Sequence, residues 1–156
     1  RDLRKENPYL LLGRFLRLCS KYDIPLENNR GILSDLKNQI KKWRMGNNFC
    51  KIAYLSCISS LFKSITQSHN KKGFMEILIN TSILKIVLPE LDFVTRSNER
   101  NFINDIVKTN TKLDVVILFD KYIKFLNSQE SFRNKIKSLK FRKWDEEDIA
   151  CAVHFT

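Results

Sequence analysis

Residues 49–66 read FCKIAYLSCISSLFKSIT, and this stretch decides the fold. Its apolar side chains recur at helical spacing and cover a broad face of the helix that they predict. A face of this width is typical of a helix that has neighbours on several sides. We therefore expect a helix from Phe49 to about Thr66 at the centre of a bundle. The side chains expected to be buried on it are Phe49, Ile52, Ala53, Ile58, Leu61, Phe62 and Ile65.

The rest of the chain also follows a helical period, and turn residues are scarce, with four Gly and three Pro. The sequence predicts an all-α fold: a single compact multi-helix domain over residues 1–156, with seven to nine helices. An irregular bundle or a short α-solenoid-like array fits this pattern, although no internal repeat supports the second. The other predicted helices are 8–22, 32–45, 74–79, 83–88, 97–108, 111–126, 129–141 and one from 145 onward.

Three local patterns make sharper predictions. In the first helix, the inner stripe is expected to be Leu11, Phe15, Leu18 and Cys19. Thr111-Lys-Leu-Asp114 resembles a capping box and should open a helix. Asn80-Thr-Ser82 matches a glycosylation acceptor, but its apolar flanks favour a junction between two short helices, with a short strand pair as the alternative.

The chain begins Arg1-Asp2-Leu3 without an initiator Met, so we expect it to be a piece of a larger protein. No apolar run reaches 18 residues, which predicts that no segment spans a membrane. The four cysteines form no CxxC pair and lie in apolar stretches. They are expected to be small buried thiols of an intracellular protein, nuclear or cytoplasmic, in a reducing compartment.

The charge of the chain is strongly uneven. Of a net charge of +11, the segment 131–144 (SFRNKIKSLKFRKW) alone carries six basic and no acidic residues. The acidic block 145–148 (DEED) follows at once. We name the basic edge by the residues that we expect to meet a negative partner there: Arg133, Lys135, Lys137, Lys140, Arg142, Lys143 and Trp144.

On a continuous helix, Arg133, Lys137 and Lys140 would stack at i, i+4 and i+7, and Trp144 would serve as a stacking or anchoring group. Three interpretations of this edge are open. It could bind nucleic acid, DNA or RNA, largely through the backbone phosphates. It could meet an acidic protein surface, or it could be a solvated face that the block 145–148 neutralises.

Two secondary basic stripes lie on the first two predicted helices. The first comprises Arg14, Arg17 and Lys21, and the second comprises Lys37, Lys41, Lys42 and Arg44. They favour nucleic-acid binding only if they converge in space with the basic edge. No helix-turn-helix, RNA-recognition or zinc-finger pattern is present, so nothing indicates base-specific contacts.

Catalytic and metal-binding patterns are weak. No GxSxG, HExxH, Walker or dinucleotide-glycine motif occurs, and the chain has only two histidines. Cys151-Ala-Val-His154 has the spacing of half a zinc site, but the second half is missing. We therefore predict no catalytic residues, no metal and no cofactor.

The sequence thus favours a non-enzymatic helical interaction or scaffold domain in a larger intracellular or viral assembly. Its basic edge would face an acidic surface of a partner protein. The first alternative is direct, largely sequence-independent nucleic-acid binding through the basic stripes. The second is a secreted helical bundle of cytokine type, linked by disulfides between the four cysteines.

Overall fold

The computed structural model describes residues 7–45, 50–93, 95–141 and 145–156. Within these ranges the chain forms nine α-helices and two short 3-10 helices, and no strand. They pack into one compact arrangement with many contacts between distant parts of the chain, which confirms the all-α class and the number of helices. The helices are α1 (Pro8–Lys21), α2 (Arg30–Met45), α3 (Lys51–Gln67), α4 (Lys71–Asn80), α5 (Ile83–Val87), α6 (Arg96–Val107), α7 (Lys112–Tyr122), α8 (Leu126–Lys137) and α9 (Glu146–His154). The 3-10 helices are Leu26–Asn29 and Ser138–Phe141.

Helix α3 lies at the centre, as its broad apolar face predicted. It packs against α1, α4 and α7 and is buried along most of its length. Ile52 is an exception, because it lies exposed in the first turn, where no neighbouring helix covers it. Phe49 lies outside the described residues. None of the helices that the structure describes combines the length and the apolar character that crossing a bilayer requires.

The most extensive packing between two helices in the described ranges joins α1 to α3. Gly13 permits the close approach, since a Cβ added there would lie 3.1 Å from the Cβ of Ser60. This contact fixes which side of α1 faces the centre of the bundle. The side chains that α1 buries among apolar neighbours are Tyr9, Leu12, Leu16 and Cys19.

The inner stripe predicted for α1 was wrong for Leu18, whereas Cys19 is buried as predicted and Leu11 and Phe15 pack at the margin of the core. Leu18 is 52% exposed, and Leu11 and Phe15 are only half-buried. Three consecutive leucines, residues 10–12, fit several helical phases equally well, so periodicity alone could not choose among them. The contact at Gly13 makes the choice and turns Leu18 outward.

An aromatic cluster joins four helices at the other side of α3. The ring of Phe119 on α7 lies 5.1 Å from the rings of Phe62 on α3 and Phe102 on α6, in edge-to-face geometry. Phe132 on α8 stacks on the same ring at 6.4 Å. Such pairs stabilise a core by about 0.5–1.5 kcal/mol each beyond the area that they bury. This cluster holds α8 against the bundle.

The junction between α4 and α5 is a helix boundary, as predicted, and the strand alternative is wrong. Thr81 ends α4, and Ser82 precedes α5 with φ of 64°. Thr111 caps α7 by accepting a hydrogen bond from the amide of Asp114, at 3.1 Å. The local capping signal of the sequence is thus confirmed.

Helix α7 ends at Tyr122, four residues earlier than predicted, because Ile123 takes an extended conformation. Helix α8 then begins at Leu126, whose side chain is exposed and not in the core. The Gln129 amide donates to the carbonyl of Asp120 at 3.2 Å and satisfies one of the last carbonyls of α7. Two further apolar side chains, Val107 of α6 and Ile117 of α7, are also exposed.

Candidate binding surface

The basic edge does not lie on one continuous helix. Helix α8 ends at Lys137, and the 3-10 helix that follows has about three residues per turn. The predicted stacking of Arg133, Lys137 and Lys140 along a single α-helix was therefore wrong. Arg142, Lys143 and Trp144 lie outside the described residues.

Arg133 forms a two-pronged ion pair with Asp120 of α7. Its Nε lies 2.9 Å from Oδ1 and its Nη2 lies 2.8 Å from Oδ2. The hydrogen bonds that Arg133 donates to this carboxylate, together with its negative charge, raise the pKa of Arg133. The guanidinium also lies 5.4 Å from the centre of the Phe155 ring, within the range of a cation–π contact. The charge of Arg133 is therefore paired inside the molecule, although 45% of its side chain is exposed.

Lys135 is directed towards the bundle. Its Nζ lies 2.6 Å from Oε2 of Glu90 and 2.9 Å from the hydroxyl of Tyr54. The Glu90 side chain is only 5% exposed and also accepts a hydrogen bond from Ser131 at 2.9 Å. Lys135 therefore neutralises an internal carboxylate.

The remaining described residues of the edge differ from these two. Lys137 is half-buried and has no acidic partner within the described ranges, and Lys140 is exposed. The edge is thus split: Arg133 is paired with Asp120 of α7 and Lys135 with Glu90 in the turn after α5, whereas Lys137 has no acidic partner among the described residues.

The acidic block 145–148 neutralises two lysines that lie outside the basic edge, Lys63 and Lys112. The ammonium of Lys112 lies 2.5 Å from Oδ1 of Asp148, 2.6 Å from Oγ of Ser59 and 3.4 Å from Oδ2 of Asp145. Glu147, in the same block, pairs with Lys63 of α3. We refer to Ser59, Lys112, Asp145 and Asp148 as the buried-lysine cluster.

The centre of the cluster is buried, and Asp145 at its margin is 29% exposed. The side chains of Lys112 and Asp148 are both fully buried. Burial alone would raise the pKa of Asp145, but the Lys112 ammonium and the amides of Glu147 and Asp148 outweigh it and lower the pKa below its usual value. A serine beside a lysine could in principle serve as a nucleophile and its base. In this structure the bonds of Lys112 to Ser59, Asp145 and Asp148 join α9 and its cap to α3 and α7.

Sequence reasoning missed this cluster. The one local signal was weak: a lysine in the first turn of a helix, as at Lys112, faces the positive end of the helix dipole. Its carboxylate partners lie 33 and 36 residues further along the chain. No spacing rule relates positions so far apart.

A tyrosine pair lies where the stripe of α2 approaches the basic edge. The rings of Tyr9 and Tyr54 meet edge-to-face at 5.1 Å. Arg44 of α2 donates to the Tyr9 hydroxyl at 2.6 Å, and Lys135 of α8 donates to the Tyr54 hydroxyl. Burial raises the pKa of both tyrosines. Arg44 of the α2 stripe and Lys135 of the basic edge thus both donate hydrogen bonds inside the molecule, to the two hydroxyls of this tyrosine pair.

The stripe of α1 has a different environment. Arg14, Arg17, Leu18 and Lys21 line a groove of about 590 Å³ together with Gln67, the last residue of α3. Tyr22, which is 62% exposed, follows directly, and the Lys21 ammonium lies 5.4 Å from the centre of its ring. Arg17 and Lys21 have no acidic partner in the part of the chain that the structure describes. We define the α1 outer face as Arg14, Arg17, Leu18, Lys21, Tyr22 and Gln67.

On α2, two cations are exposed and two donate hydrogen bonds within the molecule. Lys41 and Lys42 are exposed, whereas Lys37 donates to the carbonyl of Thr81 at 3.0 Å. Arg44 is tied to Tyr9 and to the carbonyl of Ile86. Among the basic stripes, the α1 outer face therefore combines exposed cations, Arg17 and Lys21, with an exposed leucine, Leu18.

The cysteines are free thiols. Cys19, Cys57 and Cys151 are buried, whereas Cys50 is exposed. Burial raises the pKa of Cys57 and of Cys151 to about 12. Within the described ranges, no three side chains of His, Cys, Asp or Glu are placed to hold a metal ion.

Comparisons with protein-family models, with curated proteins and with solved structures gave no match to this chain.

Proposed function

We propose that this chain is a non-enzymatic interaction domain that docks a partner protein through the α1 outer face. The partner surface is acidic and carries an apolar side chain to meet Leu18. The observation that carries this proposal is the arrangement of charge: Arg17 and Lys21 flank a half-exposed leucine on a rigid helix and have no acidic partner within the described residues. Complementary charge across an interface raises the association rate and selects the partner.

The apolar centre of the face favours a protein over a nucleic-acid backbone. A phosphate backbone would neutralise the cations, but it offers no apolar group to cover Leu18. An acidic helix or loop with a leucine or a similar residue meets both requirements at once. The aromatic Tyr22 adds a residue type that is enriched in the centres of protein interfaces.

The buried-lysine cluster supports the non-enzymatic part of the proposal. It holds the one Ser–Lys pair among the described hydrogen bonds, and that pair is fully enclosed. The pKa values of the buried thiols of Cys57 and Cys151 are raised, which keeps them protonated and weakly nucleophilic at neutral pH.

Nucleic-acid binding is the second candidate, and one observation favours it. The exposed Tyr22 ring beside the Lys21 ammonium could stack on an unpaired base while lysine neutralises the adjacent phosphate. Binding of this kind would weaken steeply with salt, because each neutralised phosphate releases counterions.

The test compares two fluorescent probes by anisotropy at low and at physiological salt. One is a designed helical peptide with glutamates around a leucine, and the other is a short oligonucleotide of mixed sequence. We expect R17E/K21E to weaken peptide binding about tenfold or more, which corresponds to about 1.4 kcal/mol. Leu18→Ser should weaken the peptide and leave the oligonucleotide unchanged.

The control K41E/K42E makes the same change in net charge on exposed positions of α2. It should change peptide binding much less than R17E/K21E, and all variants should unfold within about 0.5 kcal/mol of the wild type. A third pair, K137E/K140E, tests the basic edge. Loss of binding with this pair alone would move the site to α8. Unchanged peptide binding in Leu18→Ser, together with a tighter oligonucleotide complex, would establish the nucleic-acid alternative.

A further inference from the structure

A pocket of about 430 Å³ lies on the other side of the end of α1. It is bounded by the C-terminal end of α1, the segment leading to α2, and the connection between α3 and α4. This volume is within the range of pockets that bind small organic molecules. We call it the α1–α4 pocket.

The floor of the pocket is apolar and holds a buried thiol. Leu26, Phe74 and Ile77 are buried there, and Cys19 is only 2% exposed. The Cys19 thiol has no hydrogen-bond partner within the described residues, and burial raises its pKa. The floor therefore suits the apolar part of a ligand and offers it a neutral, polarisable sulfur atom.

The mouth of the pocket carries one unpaired carboxylate. Asp23 is exposed, and its side chain has no partner in the described part of the chain, whereas the nearby Glu27 is bonded to Arg30 at 3.1 Å. Ser68 and Asn70 provide further polar groups around the opening. The polar side of the pocket is therefore negative.

The backbone position of Asp23 is one at which glycine would be the simplest choice. Asp23 has φ of 54°, and the amide of Ile24 donates to the carbonyl of Cys19 at 2.8 Å, which closes the end of α1. Helices that end in this way usually have glycine at this position, because a side chain makes the left-handed conformation costly. Aspartate is among the few other residues that adopt this conformation, and here it places a carboxylate at the mouth of the pocket.

We propose that the α1–α4 pocket binds a small organic cation, a primary amine on an apolar body. Asp23 binds the ammonium at the mouth, and Phe74 and Ile77 contact the apolar body above Cys19. The chain carries a net charge of +11, so the long-range field repels a cation. Binding therefore depends on the local contact with Asp23. This proposal does not involve the α1 outer face and stands apart from the proposed docking function.

The experiment is an NMR titration of the full chain with phenethylamine, followed through the methyl groups of Ile24 and Ile77. Its matched probes are 3-phenylpropanol, which is neutral, and 3-phenylpropionate, which is anionic. We expect saturable shifts with the amine, at dissociation constants of about 1 mM or below, and much weaker shifts with the other two. Equal binding of all three probes, or no saturation with the amine by about ten times that concentration, would overturn the proposal.

Variants separate binding from folding. Asp23→Asn should weaken amine binding about tenfold, because the charge-assisted hydrogen bond is lost while the shape is kept. Asp23→Gly should also lose binding but should raise the unfolding temperature, because the left-handed strain is relieved. Glu27→Gln is the control, since its carboxylate is already bonded to Arg30. Unchanged amine affinity in Asp23→Asn would refute the role of this residue and with it the proposed site.

Discussion

Helices α7–α9 and helix α1 use their cations in opposite ways. Lys112 of α7, together with Arg133 and Lys135 of α8, is bound to acidic side chains of other elements. Arg17 and Lys21 of α1 point outward and have no such partner within the described ranges. In the segment with the densest positive charge, two of the described cations, Arg133 and Lys135, are thus paired inside the molecule. Whether a cation is paired depends on which acidic side chains the fold places beside it.

Lys112→Met should have the largest effect, since it removes the ammonium that lies 2.5 Å from the buried carboxylate of Asp148. A buried charge that loses its partner costs about 3–5 kcal/mol. Urea unfolding, followed by circular dichroism, measures the loss in the free energy of unfolding. The control is Lys63→Met, whose ion pair with Glu147 is partly exposed and should contribute about 1 kcal/mol or less.

A second variant, Lys112→Met with Asp148→Leu, should recover much of this loss, because no unpaired charge then remains in the core. If Lys112→Met alone cost less than about 1 kcal/mol, the cation would not be held as the structure describes, and the contrast with α1 would fail.

Lys135→Met should have an intermediate effect. It leaves the nearly buried carboxylate of Glu90 with the Ser131 hydroxyl and removes a hydrogen bond to Tyr54. Such a loss costs about 1–3 kcal/mol in the same urea experiment. Arg133→Ala is the matched variant on the same helix, and its exposed ion pair should cost about 1 kcal/mol or less. Equal losses in the two variants would show that burial of the acid does not distinguish the two halves of the basic edge.

The smallest effect is expected from Asp145→Asn, and it depends on pH. The pKa of Asp145 is lower in the folded chain than in the unfolded chain, so its carboxylate stabilises the fold above about pH 4. This contribution is lost as the pH falls through the lowered pKa. The asparagine can still cap α9, so the variant should lose about 1 kcal/mol or less at pH 7.

Unfolding by urea at several pH values from 7 down to 3 checks this prediction. The acid-induced loss of stability should be shallower in Asp145→Asn than in the wild type. An unchanged pH profile would mean that Lys112 does not act on this carboxylate.

The sequence predicted the features that depend on interactions between residues close together in the chain. The cap at Thr111 depends on residues three positions apart, and the boundary around Asn80–Ser82 depends on its own apolar flanks. The central position of α3 followed from the breadth of its apolar face. These features need no knowledge of which helix packs against which.

Long-range choices could not be predicted in the same way. The phase of α1 depends on the contact of Gly13 with Ser60 of another helix. The partner of Arg133 lies 13 residues away and that of Lys135 lies 45 residues away, and no local pattern identifies either acid. The candidate binding surface is therefore the α1 outer face and not the basic edge, because Arg17 and Lys21 are exposed and have no acidic partner within the described ranges. The functional role of either surface stays a prediction.

The buried-lysine cluster also has a consequence for the chain as it leaves the ribosome. Ser59 and Lys112 are 53 residues apart, and Asp148 follows Lys112 by another 36. At a synthesis rate of about 5–20 residues per second, the residues from Lys112 to Asp148 take roughly 2–7 seconds to synthesise. During this time α3 and α7 have already been synthesised, but Lys112 does not yet have the Asp148 carboxylate to pair with. The nascent chain can therefore complete the buried-lysine cluster only after the start of α9 has emerged.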